Sequence, residues 1–215
     1  MNKVDTGLHR AGAAVQLLTE PPLAKFLREC VDTFAGENSG AVADYIPELS
    51  KANPAHFGVS LATIDGHVYE AGDSSVEFTI QSISKAFVFA LALETLGAEH
   101  VEATIGVEPS GDAFNSISLN SDNRPFNAMV NSGAIACSGL ICGDDPAGAF
   151  ERIRESLSDF AGRELGVDEH VFASERATGD RNRAIAYLLR NYAVIKGDVD
   201  KVLDVYLSFC FAPRS

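Results

Sequence analysis

Hydrophobic positions recur at helical spacing from Pro21-Pro22 through Leu23, Phe26, Leu27, Cys30, Val31 and Phe34, with proline suited to a first helical turn. Gly36 to Gly40 breaks that period. From Phe57 to Ile64 the pattern switches to alternation, Asp65-Gly66 follows, and Val68-Tyr69 returns, which predicts a β-hairpin closed by a two-residue turn. The run Phe78-Thr-Ile-Gln-Ser-Ile-Ser-Lys85 then opens a helix whose next residues, Ala86 to Leu93, are apolar on every side. That pattern belongs to a buried helix, and Gly97 is a suitable residue to end it. Residues 98–130 read as extended and loop structure, rich in turn formers, the kind of irregular stretch that lines ligands. A small-residue helix is predicted over Asn131–Ile141. Asp145-Pro146 then caps a helix carrying Phe150, Ile153, Leu157 and Phe160 along one face. Two more helices are expected, at Ala184–Leu189 and from Asp198 to Cys210, while residues 1–20 read as loosely held. One hairpin followed mostly by helices is an α+β layout. A two-stranded hairpin is marginal in water, so further strands are expected to pair with it.

Composition narrows the function classes. With 215 residues, 46% hydrophobic and 22% charged, the chain has the make-up of a soluble globular protein able to bury a core. Thirty acidic against 17 basic residues give a formal charge of −13, which argues against nucleic acid or an anionic membrane as partner. There is no run of 18 apolar residues and no signal-peptide core, so a cytoplasmic location is expected. The four cysteines show no CxxC spacing and the five histidines are scattered, which favours free buried thiols and gives no support to a metal site.

The chemistry concentrates at Ser82 and Lys85, three residues apart and therefore on one helical face. A lysine one turn into an apolar helix is driven toward the neutral amine, which can act as a base for the neighbouring hydroxyl. The helix start also offers free backbone N–H groups to an oxyanion. Against this stands the frequency of Ser-x-x-Lys by chance, usually an N-cap serine followed by a solvated lysine. Tyr45, beside two apolar residues, fits core filler as well as a site. Ser174-Glu-Arg-Ala-Thr-Gly-Asp-Arg-Asn182 packs charge just ahead of a helix, where a solvated cap region is the plainer explanation.

Taken together, five stretches resemble the serine-dependent glutaminases, relatives of the penicillin-binding protein and serine β-lactamase superfamily. They are Val42-Ala-Asp-Tyr-Ile-Pro-Glu-Leu49, Gln81-Ser-Ile-Ser-Lys85, Glu108-Pro-Ser-Gly111 with Phe114-Asn115, Met129-Val-Asn-Ser-Gly-Ala-Ile135, and Ser174 to Asn182. The resemblance implies a β-lactamase/transpeptidase-like fold, a helical cluster with an antiparallel sheet, and a single domain over residues 1–215. It implies hydrolysis of L-glutamine to L-glutamate and ammonia through an acyl-enzyme, with no metal or organic cofactor. Ser82 matches the nucleophile, Lys85 its general base, and Tyr45 a tyrosine that assists proton transfer or closes over the ligand. Asn131, Glu175, Asn182 and Tyr206 match positions that hold the substrate's amino-acid end. Read without the family, Asn131 would cap its helix, Glu175 would pair with Arg176 or Arg181, Asn182 would be an ordinary polar residue opening a helix, and Tyr206 would be core. Homo-oligomers, commonly tetramers, are implied as well.

Two departures accompany the resemblance. Ala128 stands where the family often has proline, and Ser132 where alanine is usual. Family members also continue beyond Tyr206 with a further active-site tyrosine, a Lys-Ser-Gly strand equivalent and an oxyanion-hole N–H. None of these has a counterpart here, so a C-terminally truncated member with an incomplete sheet is expected. The competing expectation is a catalytically dead paralogue that only binds ligand or full-length subunits. A β-lactamase-type acyl-transferase is the third reading, and the Ser174–Asn182 stretch and the missing secretion signal speak against it.

Overall fold

In the computed structural model, which describes residues 20–213, the elements fall into two compact units, one formed by residues up to Ser39 with Ala55–Ser75 and the other by Gly40–Pro54 with residues from Val76 onward. In the first unit helix α1 (Pro22–Phe34) packs on the hairpin of β1 (Gly58–Ala62) and β2 (Val68–Gly72). The strands are antiparallel, in register from Gly58 opposite Gly72 to Ala62 opposite Val68. The expected two-residue turn is corrected to three residues. Thr63 N–H donates to the His67 carbonyl at 2.9 Å, Gly66 N–H donates to the Thr63 carbonyl at 2.9 Å, and Ile64, Asp65 and Gly66 lie between. Gly66 sits at φ +86°, a left-handed conformation that glycine adopts without strain and that lets a tight turn feed a twisted hairpin.

The second unit is built on helix α4 (Asn131–Cys142), where ten of twelve residues are buried. It packs against α2 (Ser84–Leu96), α5 (Pro146–Ala161), α7 (Asp180–Asn191) and α8 (Val199–Leu207). Small residues allow that crowding. A Cβ on Gly133 would lie 1.9 Å from the Asn127 carbonyl oxygen, so the helix can begin against this loop only with glycine there. Helix α5 is capped as expected, the Asp145 carboxylate accepting from Gly148 N–H at 3.0 Å. Two short strands, β3 (Leu165–Val167) and β4 (Phe211–Pro213), pair antiparallel. Phe211 is buried and stacks on Phe150, with centroids 6.0 Å apart.

Several expectations need correction. The stretch 98–130 begins with helix α3 (Ala98–Thr104), whose one buried anchor is Val101. A seven-residue helix with a single core contact leaves no periodicity to read. Helix α6 (Glu169–Thr178) runs through the stretch taken for a solvated cap region, started by the Asp168 carboxylate accepting from His170 and Val171 N–H, both at 3.0 Å. Among the described residues β1–β2 gains no further strand; the added pairing forms a separate two-stranded sheet. The reading of residues 1–20 lies outside the described residues except at Glu20. The architecture is α+β, a helical cluster with small antiparallel sheets, and no helix among the described residues is long and apolar enough to cross a membrane.

Candidate active site

One cleft of the second unit, a cavity of about 300 Å³, is lined by Tyr45, Ser82, Lys85, Asn131, Glu175, Asn182 and Tyr206 together. These seven positions come from six separate segments. Tyr45 lies just before a 3₁₀ turn (Pro47–Lys51), Ser82 lies within a 3₁₀ turn (Gln81–Ile83), and Lys85 is the second residue of α2. Asn131 opens α4, Glu175 sits on α6, Asn182 is in the first turn of α7, and Tyr206 is near the end of α8. Ser82 therefore precedes the α-helix proper instead of opening it.

The turn carrying Ser82 is held by its neighbours. Ile80 N–H donates to the Phe211 carbonyl at 2.8 Å, which ties the approach to β4, and the Ser84 hydroxyl donates to the Gln81 carbonyl at 2.6 Å. Gln81 adopts φ +48°, one of three non-glycine residues with positive φ among those described. A left-handed non-glycine residue costs on the order of 1–3 kcal/mol and persists only where the surroundings over-determine it, often beside a functional group. Here the strained residue immediately precedes the exposed Ser82.

Lys85 is 3% exposed. Its amine donates to the Asn131 side-chain oxygen at 2.7 Å and to the Met129 carbonyl at 3.2 Å, and stands 5.6 Å from the centroid of the Phe114 ring. Burial pulls its pKa down to about 8, opposed by the Glu175 carboxylate. Both hydrogen-bond partners are pure acceptors, so a neutral amine satisfies them with its two N–H groups and keeps its lone pair free. No hydrogen bond joins Ser82 to Lys85. Asn131 in turn donates from its side-chain nitrogen to the Asn182 side-chain oxygen at 3.0 Å, which orients the Asn131 oxygen toward the amine.

Glu175 has no hydrogen bond or ion pair among the described residues, so the alternative in which it serves Arg176 or Arg181 does not hold. Arg176 instead grips Asp204 through two bonds of 2.8 and 3.2 Å. Burial raises the Glu175 carboxyl to about 7, with Lys85 opposing. Tyr206 is 6% exposed, lies edge-on to Phe209, and its phenol is held above the ordinary range by burial and then by Glu175 and Tyr45. Tyr45 is half exposed and rests edge-on against Phe114 with centroids 6.4 Å apart; its phenol is raised by burial and then by Glu175.

Gln81, Phe114, Asn115, Thr178 and Arg181 also line the cleft and carried no assigned role from sequence. Phe114 and Asn115 belong to the irregular stretch after α3, pinned to α4 where Asn131 N–H donates to the Phe114 carbonyl at 2.8 Å. Their position in a turn-rich stretch was a signal for lining the site, but nothing in linear spacing places that ring beneath the lysine.

Comparison with known proteins fits this geometry. The family model described as Glutaminase matches residues 40–213. Glutaminase 2 of Bradyrhizobium diazoefficiens is 72% identical over 192 residues, 89% of this chain and 31% of that protein. The glutaminase of Microcystis aeruginosa is 46% identical over 190 residues, 88% of this chain and 56% of that protein. A crystal structure of Mglu in its glutamate form superposes with a TM-score of 0.84 at 40% identity, covering 90% of this chain and 45% of that one. The chain thus spans between about a third and somewhat over half the length of these relatives. Matched by the family model over most of its residues, the chain belongs to the glutaminase family.

Proposed function

We propose that this cleft hydrolyses the side-chain amide of L-glutamine, giving L-glutamate and ammonia, within a single glutaminase domain. The Ser82 hydroxyl attacks the carboxamide carbon while its proton passes to the Lys85 nitrogen. Collapse of the tetrahedral species breaks the C–N bond, ammonia leaves with that proton, and water then cleaves the Ser82 ester to free the carboxylate. Glu175 receives the substrate α-ammonium, Asn131, Asn182 and Tyr206 hold the rest of its amino-acid end, and Tyr45 assists proton transfer or covers the ligand. The observation that carries the reading is the buried Lys85 amine, whose two bonds go to acceptors and leave its lone pair for a proton from the same cleft. The relatives' names and the glutamate form of Mglu support the substrate class.

A second reading is ligand binding without turnover, by this chain alone or with full-length subunits. The missing hydrogen bond between Ser82 and Lys85 favours it. Ammonia release from L-glutamine by the purified chain, absent in Ser82→Ala, is the outcome expected of the first reading. L-Glutamate binding by a folded chain that releases no ammonia would establish the second. A homo-oligomer in the cytoplasm belongs to the same proposal, and sedimentation of the purified chain checks the assembly.

A further inference from the structure

We infer that Ser132 is a positioning residue: its buried hydroxyl fixes segment 112–118 as one preformed wall of the cleft, so that an amino-acid ligand need not order that wall on binding. The inference takes its ligand from the glutamine reading above. Ser132 is the second residue of α4, and its side chain is fully buried. A serine near a helix start ordinarily bonds backbone groups of its own helix. Here α4 has no side-chain cap, and the Ser132 hydroxyl donates instead to the Ser118 carbonyl at 3.1 Å, fourteen residues back in irregular chain.

Three further bonds close the segment on itself and on α4. The Ser118 hydroxyl, on a residue that is itself buried, donates to the Asp112 carboxylate at 2.6 Å and draws the two ends together. Ser116 N–H donates to the Ala113 carbonyl at 2.9 Å, and Asn131 N–H donates to the Phe114 carbonyl at 2.8 Å. Packing adds little, because none of residues 112–117 is buried and the chain rejoins the core only at Leu119. Both bonds that reach α4 come from buried residues, Asn131 and Ser132, where water is a poor substitute. Of the two, only the Ser132 bond is made by a side chain. The segment contributes Phe114 and Asn115 to the cleft, and the Phe114 ring stands 5.6 Å from the Lys85 amine. A wall already in place costs a ligand nothing to order, whereas a loose one takes its ordering from the binding free energy.

Hydrogen exchange read by mass spectrometry on the full chain, with and without L-glutamate, tests this beside calorimetric titration with the same ligand. In wild type, segment 112–118 should be protected already and gain less than about twofold from L-glutamate. Ser132→Ala should exchange there about tenfold faster, with saturating L-glutamate restoring most of the protection. Its affinity for L-glutamate should fall by about three- to tenfold, the size of one neutral hydrogen bond. Alanine is a better helix former than serine, so α4 stays intact, which thermal unfolding checks. Ser118→Ala, which frees only the exposed Asp112 carboxylate, should loosen the segment less. Unchanged exchange at 112–118 in Ser132→Ala overturns the inference, as does faster exchange spread evenly over α4 and its neighbours. Local loosening with unchanged affinity overturns it too, since the wall then takes no part in binding. Wild type that binds no L-glutamate overturns the glutamine reading, and the ligand-free exchange of the two chains still decides whether Ser132 holds the wall.

Discussion

The two ends of the cleft differ in how completely their polar groups are satisfied. At the α2–α4 end, Lys85, Asn131 and Asn182 form a chain of bonds at 2.7 and 3.0 Å, closed off by the Met129 carbonyl. At the α6–α7 rim, Glu175 and Arg181 carry charge and hold nothing. A buried chain with each member bonded is rigid and keeps a base in one orientation, which suits a group that must meet a proton in a set geometry. Glu175, partly buried and without a bonded partner among the described residues, gains most when a ligand cation arrives, which suits a group that selects what binds, whereas Arg181 is exposed to solvent. On the proposed function the base belongs to the first end and the α-ammonium contact to the second, with the Asn131–Asn182 pair serving both the amine and the substrate. Substitution of Lys85 should act on turnover, and substitution of Glu175 on affinity.

The largest effect expected is at the base. Lys85→Ala should lower kcat by about 10²–10⁴-fold, the span general-base groups supply, with L-glutamate still bound. Turnover close to wild type would remove lysine from the mechanism and with it the contrast between the two ends. Next is the chain that holds the amine. Asn131→Ala removes the acceptor at 2.7 Å and should cost roughly 10–100-fold in kcat/KM, the range for a hydrogen bond to a charged group. That acceptor favours the protonated amine, so its loss should also move the alkaline rise of the pH profile downward. A structural role alone would leave the profile in place.

The pH profile addresses both ends at once. The lysine pKa is lowered to about 8, so its base form accumulates as pH rises through that value. The Glu175 carboxyl is raised to about 7, so its charged form is lost as pH falls through that value. In the free enzyme kcat/KM should accordingly fall below about pH 8 and more steeply below about pH 7. Glu175→Gln should remove the lower step while raising KM for L-glutamine. Persistence of both steps in that variant would take Glu175 out of the recognition rim.

How much of this was legible in sequence follows from where the physical cause resides. Helix α5, with Asp145, Pro146 and an apolar face at regular spacing, is a local matter of capping and periodicity and could be read directly. Strand β4 could not, because Phe211–Pro213 is a strand only by pairing with Leu165–Val167 far away in the chain. Lys85 announced its own burial through the apolar run after it. That Asn131 and Met129 accept from it depends on how α2 meets α4, which no window of sequence contains. Ser82 and Lys85 could be read from their own spacing, whereas the other five site positions became readable only through the family resemblance, since taken singly Asn131 or Tyr206 looks like a cap or a core residue. Arg181 was visible as a charge in a charged run. Its lack of a partner emerged only when Arg176 and Arg183 were seen to take Asp204 and Asp180.

Phe114 links the base to Tyr45 and gives the smallest test of the contrast between the two ends. Its ring faces the Lys85 amine at 5.6 Å and meets the edge of Tyr45 at 6.4 Å, while its carbonyl is held by Asn131 N–H. An aromatic face stabilises an ammonium but not a neutral amine, by about 0.5–1 kcal/mol in a partly open setting, which is under one pH unit. Leucine keeps an apolar side chain beside the amine and the backbone bond, and removes only the quadrupole. Phe114→Leu should therefore shift the upper step of the kcat/KM profile downward by less than one unit and leave L-glutamate affinity within about twofold, since the rim charges keep their surroundings. A large loss of affinity instead would mean that the ring, through Tyr45, organises the rim as well, and base and rim would then have to be treated as one coupled site.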